Sequence, residues 1–285
     1  MPHPSLFFLI LTLCCGLSGC EGLPFYPSKA MRNTPESAGL NYEDVLMRTP
    51  DGKTITGWFL PAPSGNGGNA GQAAPLPANG RTLLFLHGNA GNISHCLDAL
   101  ADFHGLGFAI LIIDYRGYGQ STGRPSVKGT LIDAGTAWNW LLAQKSIRPE
   151  DIVICGRSLG GAIAAGLAGK VNPGALIMES SFTSLQDVGN SLYHFMPVSL
   201  FLPQDYDSVA SLRGRTFPLL VVHSADDELI PYALGKTVFD EYGGPKQILR
   251  ISGTHNAGFQ TDKGRYLNGL ESFLRSLPPL VRGFN

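Results

Sequence analysis

The stretch Asp151-Ile152-Val153-Ile154-Cys155-Gly156-Arg157-Ser158-Leu159-Gly160-Gly161 constrains the fold of this chain more than any other. Its apolar, β-branched half reads as a buried strand, and the alanine-rich run that follows, Ala162 to Ala168, reads as a helix packed closely on a sheet. Between them stands G-x-S-x-G, centred on Ser158. A turn from strand to helix within two residues forces strained dihedrals at the central residue and leaves no room for flanking side chains, which explains Gly156 and Gly160. The spacing predicts a Ser158 hydroxyl raised above the sheet edge, with the Leu159 N–H at the helix N-terminus facing an oxyanion on a bound carbonyl.

The rest of the chain supplies a setting for this turn. With 285 residues and 44% hydrophobic content there is material for one α/β domain with a large core. Lys plus Arg (21) and Asp plus Glu (22) nearly cancel, which argues against nucleic acid and favours small or neutral substrates. Glu43–Thr49 and Thr54–Leu60 read as two strands joined by a turn holding Asp51-Gly52, hence an antiparallel hairpin. Pro61 to Gly80 is Gly/Pro-rich loop. Thr82–Leu86 is a continuous apolar strand of the kind buried in a parallel sheet, and Phe108–Ile113, Ala175–Met178, Phe217–His223 and Lys246–Ile251 read as the further strands.

The loops after these strands carry the chemistry. His87-Gly88-Asn89-Ala90-Gly91-Asn92 follows one strand and offers the backbone N–H of Asn89 as second oxyanion donor, with His87 propping the loop. The glycines of Asp114-Tyr115-Arg116-Gly117-Tyr118-Gly119 are wrongly spaced for a dinucleotide site. Ser126 is the expected N-cap of a helix whose apolar stripe includes Val127, Leu131, Trp138 and Leu141. The aromatic and proline-rich region from about 180 to 215, with Tyr193, His194, Phe195, Met196, Phe201 and Pro203, reads as a helical lid lining an acyl or aromatic pocket. Three acids crowd the turn Asp226-Asp227-Glu228; Asp227 is the candidate partner of an imidazole, with Asp226 in reserve. His255, on the glycine-flanked loop Ser252–Gly258, is the one histidine of seven that follows that turn.

At the N-terminus, Leu6 to Leu17 is an apolar run too short to span a bilayer comfortably and is followed by Leu17-Ser18-Gly19-Cys20. That tetrapeptide resembles the lipobox of bacterial lipoproteins, in which the cysteine is acylated and becomes the first residue of the mature chain. The leading segment departs from that pattern in having no Lys or Arg. Several acyl chains on Cys20 would anchor the chain to a membrane without crossing it. Glu21 to Leu40, rich in Pro, Ser and Asn, reads as a tether.

From Asn41 to Leu277 the chain resembles the α/β-hydrolase superfamily, and within it the Bem46-like branch, also grouped with serine aminopeptidase-like hydrolases. The resemblance rests on His87–Asn92, Asp114–Gly119, Gly156–Gly160, the Asp227 turn, Gly253-Thr254-His255-Asn256, and the chain order Ser158, Asp227, His255. It implies an α/β-hydrolase fold: a mostly parallel sheet opened by the antiparallel hairpin, helices on both faces and a small lid. The expected boundaries are a signal peptide over 1–19, a tether over 20–40 and the hydrolase domain over 41–285. The expected activity is ester or thioester hydrolysis by a Ser158-Asp227-His255 triad, with Asn89 and Leu159 forming the oxyanion hole; peptide cleavage and a non-catalytic, membrane-anchored scaffold are the alternatives. No HExxH or CxxC appears, so neither metal nor cofactor is expected. Partners are a small ester or thioester and, through Cys20, membrane lipid of a bacterial envelope. Cys96 and Cys155 are expected as buried free thiols, a disulfide being the alternative.

Overall fold

The structure, a computed structural model, describes residues 25–63, 76–192 and 206–280. The signal-peptide segment, Cys20 and the lid residues Tyr193 to Pro203 lie outside the described residues. Among the described residues there are ten strands: β1 (Tyr26–Pro27), β2 (Glu43–Arg48), β3 (Thr54–Leu60), β4 (Thr82–Leu86), β5 (Ala90–Gly91), β6 (Ala109–Ile113), β7 (Ile152–Arg157), β8 (Ala175–Glu179), β9 (Leu219–Ser224) and β10 (Lys246–Ile251). Eight of them form one sheet in the order β10-β9-β8-β7-β4-β6-β3-β2. Pairing is parallel from β10 to β6 and antiparallel where β3 meets β6 and β2. Outer β2 alternates between exposed and buried positions, whereas β4, β8 and β9 are buried throughout. That contrast separates a half-solvated edge from a centre covered on both faces.

Side-chain alternation divides the core into two layers. Leu84, Leu86, Ile154, Leu176, Met178 and Val221 point to one face and pack under the helices Val127–Gln144 and Leu159–Ala168. Leu83, Phe85, Val153, Cys155, Ile177 and Val222 point to the other, under Leu97–Gly105 and Lys263–Ser276. The Ser126 hydroxyl accepts from the Gly129 N–H and caps its helix. Cys155 is buried and Cys96 half-buried; both are free thiols.

Two segment boundaries need correction. The tether does not extend to residue 40, because Phe25 is buried in the same core layer as Val45 and Tyr118. Tyr26–Pro27 then pairs in parallel with Ala90–Gly91. The proposed lid is also too wide. Ser180 to Thr183 are buried, Ser208 donates from its N–H to Thr183 O (2.8 Å) and from its hydroxyl to Phe182 O (2.8 Å), and Tyr206 and Thr130 share a hydroxyl contact of 2.6 Å. Residues 180–183 and 206–208 are therefore stitched to each other and to the body and do not belong to a lid.

Candidate active site

The carboxyl ends of β4, β7, β8, β9 and β10 converge on Ser158. This residue has φ 56° and ψ −121°, a left-handed conformation that a non-glycine residue adopts only when its surroundings over-determine it. Those surroundings are specific. The Ser158 N–H donates to Glu179 O (2.8 Å), and the Ser158 carbonyl accepts from the Gly161 N–H (2.9 Å). A Cβ at Gly156 would lie 2.1 Å from Gly160 O, and one at Gly160 would lie 2.0 Å from Leu86 O. Backbone cannot yield there, so both positions are restricted to glycine.

The hydroxyl so presented is 3.1 Å from His255 Nε2, and His255 Nδ1 is 2.8 Å from Asp227 Oδ2. The other carboxylate oxygen, Oδ1, accepts the N–H groups of Leu229 (3.0 Å) and Ile230 (2.8 Å). Burial by itself would raise the Asp227 pKa, but hydrogen bonds from His223 and His255, the charge of His255 and the Ile230 N–H outweigh it and hold the carboxyl well below its ordinary range. Asp227 thus stays ionised and fixes the Nδ1–H tautomer of His255, leaving Nε2 free to accept a proton.

The two neighbouring acids have a different use, which the sequence did not reveal. Asp226 Oδ2 accepts from the Gly253 N–H (3.1 Å) and Glu228 Oε2 from the His255 N–H (2.9 Å). Asp226 therefore holds the histidine loop by its backbone, and the contact with the imidazole belongs to Asp227.

Asn89 sits on the opposite wall, in a peptide held from several sides. Gly88 O accepts from His87 Nδ1 (2.7 Å), so His87 carries its proton on Nδ1, and burial pushes its pKa down to about 4. In a trans peptide the Asn89 N–H points opposite to Gly88 O, away from His87. Asn89 O accepts from the Tyr118 hydroxyl (2.7 Å) and the Tyr26 N–H (3.0 Å), and His87 O accepts from the Tyr115 hydroxyl (2.9 Å). Asn92 Nδ2 completes the clasp by donating to Ser28 O (3.1 Å) and Ala30 O (2.8 Å). His87 thus props the loop, with two tyrosines and the N-terminal segment beside it.

A cleft of about 340 Å³ opens over Ser158 and His255, with Asn89, Ala90, Arg157, Leu229 and Phe259 in its walls. Arg157 crosses its floor. Its guanidinium meets Glu179 Oε2 through Nε and Nη2 (both 2.9 Å) and stacks 3.9 Å from the Phe259 ring centre. Glu179 is fully buried, and its second oxygen accepts from the Tyr266 hydroxyl (2.5 Å). Since Glu179 also supplies the carbonyl that holds Ser158 N–H, this pair, with its carboxylate buried and its guanidinium partly exposed, braces the turn from beneath. No group of three or more His, Cys, Asp or Glu side chains among the described residues converges as a metal-ligand set.

Comparison with known proteins agrees with the fold. A family model described as alpha/beta hydrolase fold matches residues 81–187. An uncharacterized protein of Mycobacterium tuberculosis is 34% identical, over 88% of this chain and 86% of its own length. The protein bem46 of Schizosaccharomyces pombe is 32% identical, over 72% of this chain and 68% of its own length. Among solved structures, an esterase of Pyrococcus furiosus superposes with a TM-score of 0.68 at 19% identity, covering 88% of this chain and 99% of that one, a likeness of fold.

Proposed function

We propose that this chain, which belongs to the Bem46-like branch of the α/β-hydrolase superfamily, is a serine hydrolase that cleaves ester or thioester bonds of small or acyl substrates. The observation that carries the reading is the unbroken hydrogen-bond series Asp227 Oδ2, His255 Nδ1, His255 Nε2, Ser158 Oγ, at 2.8 and 3.1 Å. His255 Nε2 takes the hydroxyl proton as Ser158 Oγ attacks the carbonyl carbon, and Asp227 stabilises the imidazolium that forms. The N–H groups of Asn89 and Leu159 receive the oxyanion. Collapse of the tetrahedral species breaks the ester or thioester bond, and the alcohol or thiol leaves with the proton from His255. Water, deprotonated by the same imidazole, then cleaves the acyl-serine to free acid and restores the hydroxyl.

The cleft supports small acyl groups, since Leu229, Phe259 and Phe85 give it apolar wall beside the polar series. Attachment to a bacterial envelope membrane through acylated Cys20 is the reading of Leu17-Ser18-Gly19-Cys20. Among the described residues no helix is long and apolar enough to cross a membrane. Labelling by a fluorophosphonate probe tests the activity. Native protein should label covalently and Ser158→Ala should not; absence of labelling in both would favour a non-catalytic scaffold. Turnover of p-nitrophenyl esters of increasing chain length, set beside a thioester, ranks the substrate classes. Mass spectrometry of the mature N-terminus tests acylation.

A further inference from the structure

The segment between Cys20 and the body is short, and it ends on the catalytic rim. Tyr26–Pro27 pairs with Ala90–Gly91, and Ala90 lines the cleft beside Asn89. Adjacent strands lie about 4.8 Å apart, so residue 26 is one strand's width from the cleft wall. The segment cannot shift freely from there: Ser28 N–H donates to Gly91 O (2.8 Å), Gly119 N–H to Ser28 O (2.9 Å), Lys29 Nζ to Ser121 O (2.7 Å) and Arg32 N–H to Ser94 Oγ (3.0 Å). Six Cα-to-Cα steps separate residue 20 from residue 26. Fully extended, they reach about 22 Å. A body of this size is about 45 Å across. An anchor at residue 20 therefore reaches the cleft-bearing end of the molecule and falls short of the far end of the sheet.

The surface at this end has the character of a membrane contact. Among the described residues five large apolar side chains are prominently exposed: Tyr26, Leu46, Leu76, Leu192 and Leu229. Two belong to the catalytic rim: Tyr26 on the clasp and Leu229 in the cleft wall after β9. An exposed tyrosine and an exposed leucine at one end suit the boundary between headgroups and acyl chains. The cleft mouth also carries Asp98 and Asp102, the latter paired with Lys263 (2.8 Å). With Asp102 offset by Lys263 and Arg157 by Glu179, the Asp98 carboxylate disfavours an anionic substrate and leaves neutral or zwitterionic ones.

We propose that the cleft mouth lies against the bilayer that holds Cys20, and that the enzyme draws neutral or zwitterionic acyl esters or thioesters from that leaflet. The inference rests on the hydrolase and Cys20 readings above and specifies their substrate class. A short anchor that ends at the cleft raises the local concentration of leaflet substrate, and lengthening the connection dilutes it.

The test uses the full-length, lipidated protein in phosphatidylcholine vesicles containing p-nitrophenyl palmitate, with p-nitrophenyl butyrate as the soluble comparison. A 24-residue Gly/Ser insertion between Glu21 and Gly22 leaves the anchor and every described contact unaltered. A leaflet offers substrate over a plane, so only the height of the cleft above it is diluted; that height grows as about the square root of tether length, and extending six steps to thirty should lower vesicle-ester turnover about twofold. Butyrate turnover, fluorophosphonate labelling and vesicle flotation should match the parent protein. Equal turnover of the embedded ester by both proteins would overturn the proposal. Failure of its premises is separately visible: an N-terminal mass without acyl chains removes the anchor, and absent fluorophosphonate labelling of the parent removes the hydrolase; either removes the inference with it.

Discussion

Asp227→Asn tests the assignment of the imidazole tautomer. Asp227 Oδ1 accepts two backbone N–H groups, from Leu229 and Ile230, while Oδ2 accepts from His255 Nδ1. An asparagine satisfies both N–H groups only with its carbonyl oxygen in the Oδ1 position. The reverse rotamer sets an NH2 against two donors and forfeits two hydrogen bonds, at about 1–3 kcal/mol for each group left unsatisfied. The amide NH2 must then face His255, where it makes Nδ1 an acceptor and moves the imidazole proton to Nε2, the atom that should take the Ser158 proton. A triad with the wrong tautomer loses about 10⁴-fold in kcat, or about 5.5 kcal/mol of transition-state stabilisation. Steady-state kinetics on p-nitrophenyl butyrate should show this loss with little change in KM. Asp227→Ala, in which the imidazole is free to choose its tautomer, should retain more activity than Asp227→Asn while melting lower. A kcat for Asp227→Asn within tenfold of the parent, or an alanine variant slower than the asparagine one, would refute the reasoning.

Other substitutions probe the supports. Tyr118→Phe removes one of two donors to Asn89 O and should lower kcat about five- to tenfold at constant KM, the worth of one neutral hydrogen bond of roughly 1 kcal/mol; an unchanged kcat would show that the Tyr26 N–H alone holds the peptide. Arg157→Met strands the buried Glu179 carboxylate and should cost roughly 3–5 kcal/mol, seen by calorimetry as a melting-temperature fall of roughly 6–20 °C. Most of that loss should return when Glu179→Gln is added. Burial pushes the Asp114 carboxyl up to about 7, so its protonated form is favoured in the native state and a penalty builds as pH rises from its ordinary value of 3.8 through 7. Asp114→Asn, which keeps an acceptor for the Ile93 N–H, should be increasingly more stable than the parent between pH 5 and pH 8, by up to about 4 kcal/mol. A pH-independent difference in denaturant midpoint would contradict this.

The elements visible in the sequence were those governed by local rules. Asp51-Gly52 announced the β2–β3 hairpin, continuous apolar runs marked the buried strands, and Gly156 and Gly160 marked a turn that only glycines can flank. Ser158, Asp227 and His255 could be chosen because each follows a strand whose end is fixed by parallel packing. What escaped notice depends on contacts between distant segments. Nothing local distinguishes Tyr26 and Pro27 from a solvated linker, since their stability comes from pairing with Ala90 and Gly91 more than sixty residues away. Glu179 and Tyr266 lie 87 positions apart, and neither has a neighbour that hints at the other. Asp226 and Asp227 read as rivals for one role because a sequence cannot show which carboxylate points to a ring and which to a backbone N–H. The surplus of acids in one turn was the available signal that something beyond the imidazole needed holding.

That division of labour among Asp226, Asp227 and Glu228 has a mechanical outcome. The loop bearing the base is moored at Gly253 and at His255 itself to the turn that supplies the acid. Displacement of either loop drags the other with it through these two hydrogen bonds. On the proposed mechanism ring and carboxylate therefore keep their mutual alignment, and little orientational freedom is left to surrender on the way over the barrier.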